Sequence, residues 1–198
     1  MDIVLNTTFG NPNLPTVPRT GFSDSFDRPA ADTLGVTDDG KPWDFFGFVP
    51  WKITTEGFAS CVGAGLHAVV DALTPDGTIE TVVGRQASEG ADKRAGLVLR
   101  MVDRDNYIYL CPNTSNVLTL YVRENNASAM SRGISGETLV TGDTLTVEMI
   151  GNNFTIKRNG RTIHTETISY FNAATLHGLY GNGASDTEFD SIKFTPAG

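Results

Sequence analysis

Glu188-Phe189-Asp190 sets two carboxylates two residues apart. On a strand that spacing puts both on one face, and two facing carboxylates are the requirement of glycoside hydrolysis. No second glutamate follows in Ser191-Ile192-Lys193-Phe194. The segment therefore reads as an ordinary edge strand with outward acids, the usual place for charge on a sheet. Asp103-Arg104-Asp105-Asn106 holds the oxygen types that calcium takes. The same residues make Asx bonds in hairpin turns, and the turn is the preferred reading. Asp103 and Asp105 are the candidate ligands should an ion bind, and calcium is the one cofactor considered; otherwise none is expected. His67, His164 and His177 are isolated, without the HxH or HExxH spacing of a zinc site. There is no Gly-x-Ser-x-Gly elbow. Gly63-Ala64-Gly65 lacks the lysine and the helix of a phosphate-cradling loop. No catalytic residue is assigned.

Aromatic residues are the better candidates for binding. Sugars present apolar faces that stack on tyrosine or tryptophan, whose polar tips stay available for hydrogen bonds. Tyr107 and Tyr109 are two apart and so share a strand face; with Tyr121 they form the candidate ligand-binding row. The competing reading is core filling. It is preferred for Phe45, Phe46 and Phe48, for Trp43 and Trp51, and also, by a smaller margin, for the tyrosines.

Strands must position these residues. Thr78–Val83 alternates with period two, the pattern of a half-buried strand. Residues 96–102 form an apolar run, Asp103–Asn106 turns the chain, and residues 107–111 return as an antiparallel partner. Asn159-Gly160 between two alternating segments predicts a type I′ hairpin. About a dozen such segments recur at short, regular spacing, as in a sandwich or barrel. Residues 171–176 fit at most one helical turn. The fold expected is all-β, a two-sheet antiparallel sandwich over residues 22–198.

Residues 1–21 differ. Three prolines fall in Pro12–Pro18, which fixes φ and removes donors. The segment reads as an extended N-terminal arm, with Leu14, Pro15, Val17 and Pro18 as assembly contacts. Met1–Leu5 lacks the basic region of a signal peptide, so synthesis in the cytoplasm is expected. No apolar stretch approaches the length of a membrane span. The net charge is -8, from 15 basic and 23 acidic residues; an acidic surface disfavours nucleic acid and anionic lipid. Cys61 and Cys111 both sit in apolar, strand-like contexts. Two buried thiols are preferred over a bridge.

Three patterns carry a family resemblance. One is Asp24-Ser25-Phe26-Asp27-Arg28 followed by Trp43. Another is Ala95–Arg100 with Asp103 and Asn106–Leu110. The last is Leu176–Tyr180 with Glu188–Phe194. Over about residues 22–196 they resemble the laminin-G/concanavalin A-like jelly-roll modules of virion proteins of phages that infect actinobacteria. The resemblance implies a non-enzymatic minor tail protein located in the virion. Its partners would be other virion proteins and cell-surface glycans, and it would be a homo-oligomer, by analogy a trimer. A capsid (head) decoration protein and a free carbohydrate-binding module are the alternatives. A glycoside hydrolase of the same fold ranks last, because the Glu-x-Asp-x-x-Glu strand of family 16 is incomplete here.

Overall fold

The computed structural model describes residues 20–47, 51–61, 65–87, 94–182 and 186–198. Leu14, Pro15, Val17 and Pro18 of the expected arm lie outside the described residues, as does Phe48. In chain order the strands are β1 (Phe22–Asp24), β2 (Asp44–Gly47), β3 (Lys52–Ile53), β4 (Ala59–Ser60) and β5 (Gly65–Asp71). Then come β6 (Gly77–Arg85), β7 (Ala95–Asp103), β8 (Asn106–Pro112), β9 (Leu118–Glu124) and β10 (Ala127–Gly133). β11 (Thr144–Ile150), β12 (Asn153–Arg158), β13 (Arg161–Thr167), β14 (Leu176–Gly181) and β15 (Glu188–Pro196) follow. Among the described residues no helix is long and apolar enough to cross a membrane.

The strands form two antiparallel sheets, as expected. One has the order β13-β12-β11-β6-β15-β4-β3, with β1 also on β15; the other runs β10-β9-β8-β7-β14-β5-β2. The main core lies between them. β7 and β8 contribute Leu97, Leu99, Ile108 and Leu110 from one side; β11, β12 and β15 contribute Leu145, Val147, Ile156, Phe189 and Phe194 from the other.

Turn chemistry fixes the register. Asn159 and Gly160 adopt φ 51° and 75°, the left-handed pair that a type I′ turn needs. Asn125 and Asn126 do the same between β9 and β10, at 51° and 63°. Residues 127–133 carry no hydrophobic alternation, so pattern alone gives no strand there. They pair with β9 nonetheless, as an exposed edge set by that turn. β15 departs from expectation in the opposite sense. It is an interior strand, bonded to β6 on one side and to β1 and β4 on the other.

Two of the sequence patterns turn out to be polar knots in the framework. The buried Asp24 carboxylate accepts a fork from Arg28 at 2.5 and 2.9 Å, the Phe26 amide at 3.0 Å and the Trp43 indole N–H at 2.7 Å. Arg100 is fully buried on the core side of β7. Its guanidinium donates to the Pro75 and Gly151 carbonyls, to Asn172 Oδ1 and to Asp76 Oδ1. It thereby ties the seven-stranded sheet to turns of the other sheet. Cys61 lies in the main core and Cys111 in a separate cluster, both as buried thiols. Burial pushes the Cys61 thiol up to about 12.

Candidate functional site

Alternation along adjacent strands builds the site. Leu97, Ile108, Leu110, Leu120 and Leu179 point into the main core. Their chain neighbours Val98, Tyr107, Tyr109, Tyr121 and Tyr180 must then face away from it, and they cluster on the outer face of the seven-stranded sheet. Tyr109 and Tyr121 stand opposite each other in the β8–β9 register. Their rings stack at 4.6 Å with an interplanar angle of 11°. Tyr107 lies 5.3 Å from Tyr109. The three tyrosines named from the sequence are thus brought together.

The structure adds a fourth. Tyr180 of β14 stacks on Tyr109 at 4.5 Å, although β7 separates their strands. Gly96 of β7 stands opposite Tyr180. A Cβ at Gly96 would lie 1.9 Å from the Leu110 carbonyl oxygen, so only glycine lets β7 and β8 approach this closely. Sequence reasoning missed Tyr180 because nothing local places β14 beside β7.

A cavity of about 610 Å³ opens on this face, within the usual range for small-ligand sites. Phe46, Tyr107, Tyr109 and Tyr180 supply its aromatic walls. Phe46 therefore departs from the core assignment that Phe45 keeps. The polar lining is Arg94, Arg104, Arg123, Asp105, Asn126 and Asn182. Arg123 follows Tyr121 by two residues, so alternation could have found it; Arg94 precedes its strand and left no such signal.

Burial raises Tyr107, Tyr109, Tyr121 and Tyr180 above the ordinary phenol range. The phenols stay neutral at physiological pH, each an O–H donor and an acceptor. His67 lies behind two of them, 4.3 Å from the Tyr107 ring and 5.6 Å from that of Tyr180. Desolvation lowers its pKa to about 4, with Arg123 adding to the effect. Its Nδ1 is 3.4 Å from the Phe46 carbonyl, and its Nε2 has no partner among the described residues. Arg123 donates to Asn126, while its buried Nε is likewise unpartnered.

Of the acids named from the sequence, Glu188, Asp190 and Asp103 are placed elsewhere. Glu188 pairs with Arg85 at 2.6 Å in a groove of about 420 Å³ on the eight-stranded sheet, and Asp190 is exposed. Asp103 serves the β7–β8 turn: its Oδ1 accepts the Asp105 amide at 2.8 Å, and both its oxygens accept from Asn106. Asp105 lies 3.7 Å from Arg104 and lines the cavity. Among the described residues no three His, Cys, Asp or Glu side chains gather as a metal site.

With this geometry in place, solved structures provide the comparison. The carbohydrate-binding module CBM66 from Bacillus subtilis aligns at TM-score 0.57 and 19% identity, over 78% of this chain and 92% of its own. Domain 4 of AbnA, a GH43 extracellular arabinanase from Geobacillus stearothermophilus solved with arabinotriose, aligns at 0.58 and 14%, over 89% and 92%. The Bacillus licheniformis beta-glucanase aligns at 0.56 and 10%, over 90% and 99%. The fold is a concanavalin-like jelly roll. At these identities the likeness is one of fold. No protein-family model and no curated protein sequence matches the chain.

Proposed function

We propose that this jelly roll is a non-catalytic glycan-binding module working through the outer face of its seven-stranded sheet. The observation that carries the reading is the stacked row Tyr121–Tyr109–Tyr180 beside a cavity of about 610 Å³. A pyranose has an apolar face for such a row and hydroxyls for neutral phenols and for Asn126 and Asn182. Two chains of similar fold, a carbohydrate-binding module and a domain solved with arabinotriose, support it. The non-catalytic part rests on the lining. Among the described residues its one carboxylate is Asp105, whereas two-carboxylate hydrolysis needs a pair about 5 to 9 Å apart. The test is a glycan array probed with the wild-type chain and with Tyr109→Ala. Wild-type binding that the variant loses supports the reading; equal binding by both overturns this site.

The setting we propose is a phage virion, with the module as a minor tail protein and a head decoration protein as the close variant. Its support is the motif resemblance over residues 22–196. Residues 1–21 then act as an arm that joins the module to other virion proteins or to copies of itself. Light scattering on the full chain and on a chain starting at Phe22 tests the arm. An oligomer that becomes a folded monomer on truncation supports it, and two monomers favour the free carbohydrate-binding module.

A further inference from the structure

An aromatic ring has two faces, and the tyrosine row uses them unequally. Tyr109 is the middle ring: Tyr121 of β9 covers one of its faces at 4.6 Å and Tyr180 of β14 the other at 4.5 Å. It therefore meets a ligand with its edge and its hydroxyl alone. Tyr107 and Tyr180 are buried, with Tyr109 and the His67 ring against them. Tyr121 ends the row. Its register partners are Tyr109 on β8 and Ser131 on β10. The near-parallel stack on Tyr109, at 11°, turns its second face toward β10. Ser131 is exposed there and too small to cover a phenol ring. Its neighbours on that side of β10 are Ser128, opposite Arg123, and Gly133, opposite Thr119. The longer side chains of β10 leave this side: Met130 packs on the main core, and Arg132 reaches Glu166 of β13. β10 is the last strand of its sheet, and Tyr121 is accordingly part-exposed. The cavity is lined by Tyr107, Tyr109 and Tyr180 but not by Tyr121. The open face of Tyr121 is thus a second place for a sugar, outside the cavity and one ring away from its Tyr109 wall.

Resting on the glycan reading above, we infer that the ligand is a chain of sugar units lying across β8, β9 and β10, with one unit in the cavity and a later one on the open face of Tyr121. The apolar face of that later unit covers the ring face that the row leaves unstacked. Whatever lies between passes over the edges and hydroxyls of Tyr109 and Tyr121, which donate to and accept from sugar hydroxyls. Once the first place is filled, binding at the second is intramolecular, so affinity grows with chain length until both are occupied.

The experiment is isothermal titration of the full chain with length series of one repeating unit. Arabinose is compared with arabinotriose and arabinohexaose, and glucose with cellotriose and cellohexaose; graded lengths on a glycan array cover other units. In the series that binds, the longer members are expected to bind about three- to tenfold more tightly than the monosaccharide, the worth of one added stacking contact. Tyr121→Ala should abolish that ratio, and Tyr121→Phe, which keeps the ring face, should preserve it. Ser131→Phe on the exposed edge strand should also abolish it, by filling the open face with a neighbouring ring. The readout is the ratio of long to short within each protein, so a variant that weakens both lengths equally does not imitate the result. Equal affinity for short and long members, lost in Tyr109→Ala, overturns the chain reading and leaves the glycan site standing. A length gain that survives both Tyr121→Ala and Ser131→Phe overturns the place assigned to Tyr121. No binding by any series overturns both the chain and the glycan reading.

Discussion

The seven-stranded sheet buries one histidine on each face, and the two are treated differently. On the core side, His177 Nδ1 accepts the Arg100 amide at 3.3 Å, its Nε2 lies 3.3 Å from the Thr74 carbonyl, and its ring stacks on Phe194 at 4.5 Å. On the outer side, His67 leaves Nε2 without a partner among the described residues. The arginines repeat the contrast. Arg100 spends its guanidinium on four protein groups, while Arg123 keeps its Nε unused. A saturated polar network rigidifies a fold. Polar groups left unsatisfied beside a cavity are capacity for something the protein binds. On the function proposed above, the two faces of one sheet divide the work into holding the sandwich together and meeting a ligand.

Four measurements sharpen or break that division. The largest effect is expected from acid. Desolvation holds His177 at about 3 and His67 at about 4, both below the ordinary 6.5. The unfolded chain then binds protons that the folded chain refuses. The stability is fully present above pH 6.5 and is lost as pH falls toward those values, by about 1.4 kcal/mol per pH unit for each histidine. Urea melts across this range should show that slope. His67→Phe and His177→Phe should each remove one histidine's share.

Next in size is Arg100→Met. It leaves Asp76, Asn172 and two carbonyls without their donor, and urea denaturation should show a loss of about 3 kcal/mol. Glycan affinity of the molecules that remain folded should not change. A smaller, differential effect separates the histidines at neutral pH. His177→Phe strands the Thr74 carbonyl and the Arg100 amide and should cost about 1 to 3 kcal/mol. His67→Phe removes a nitrogen that had no partner and should stay within about 1 kcal/mol of wild type. Equal costs would erase the contrast between the faces. Tyr109→Ala, on a partly buried ring, should cost a modest amount, about 1 to 2 kcal/mol. Its glycan affinity should fall about tenfold or more, as read by titration.

Much of this was legible in the sequence, for reasons that particular residues make plain. Period-two alternation gave the strands on which Tyr107, Tyr109 and Tyr121 share a face. Asn159-Gly160 gave its hairpin because few other pairs adopt two positive φ angles cheaply. Local pattern could not give strand order. Tyr180, Phe46 and Arg94 join the site only because β14, β2 and the start of β7 are brought to it by pairings with distant segments. For the same reason local pattern alone makes β15 an edge, although β1 and β4 cover its second side. β10 carries no signal in the sequence because an exposed edge strand needs no hydrophobic alternation.

The central claim, that the outer face of the seven-stranded sheet is the glycan site, is tested most directly by amide NMR shifts during titration with an oligosaccharide that the array identifies. The account predicts that the shifted amides cluster at Phe46, Tyr107, Tyr109, Tyr121, Arg123 and Tyr180. Shifts concentrated instead at Ala31, Lys52, Thr54 and Glu188, around the groove of the eight-stranded sheet, would contradict it.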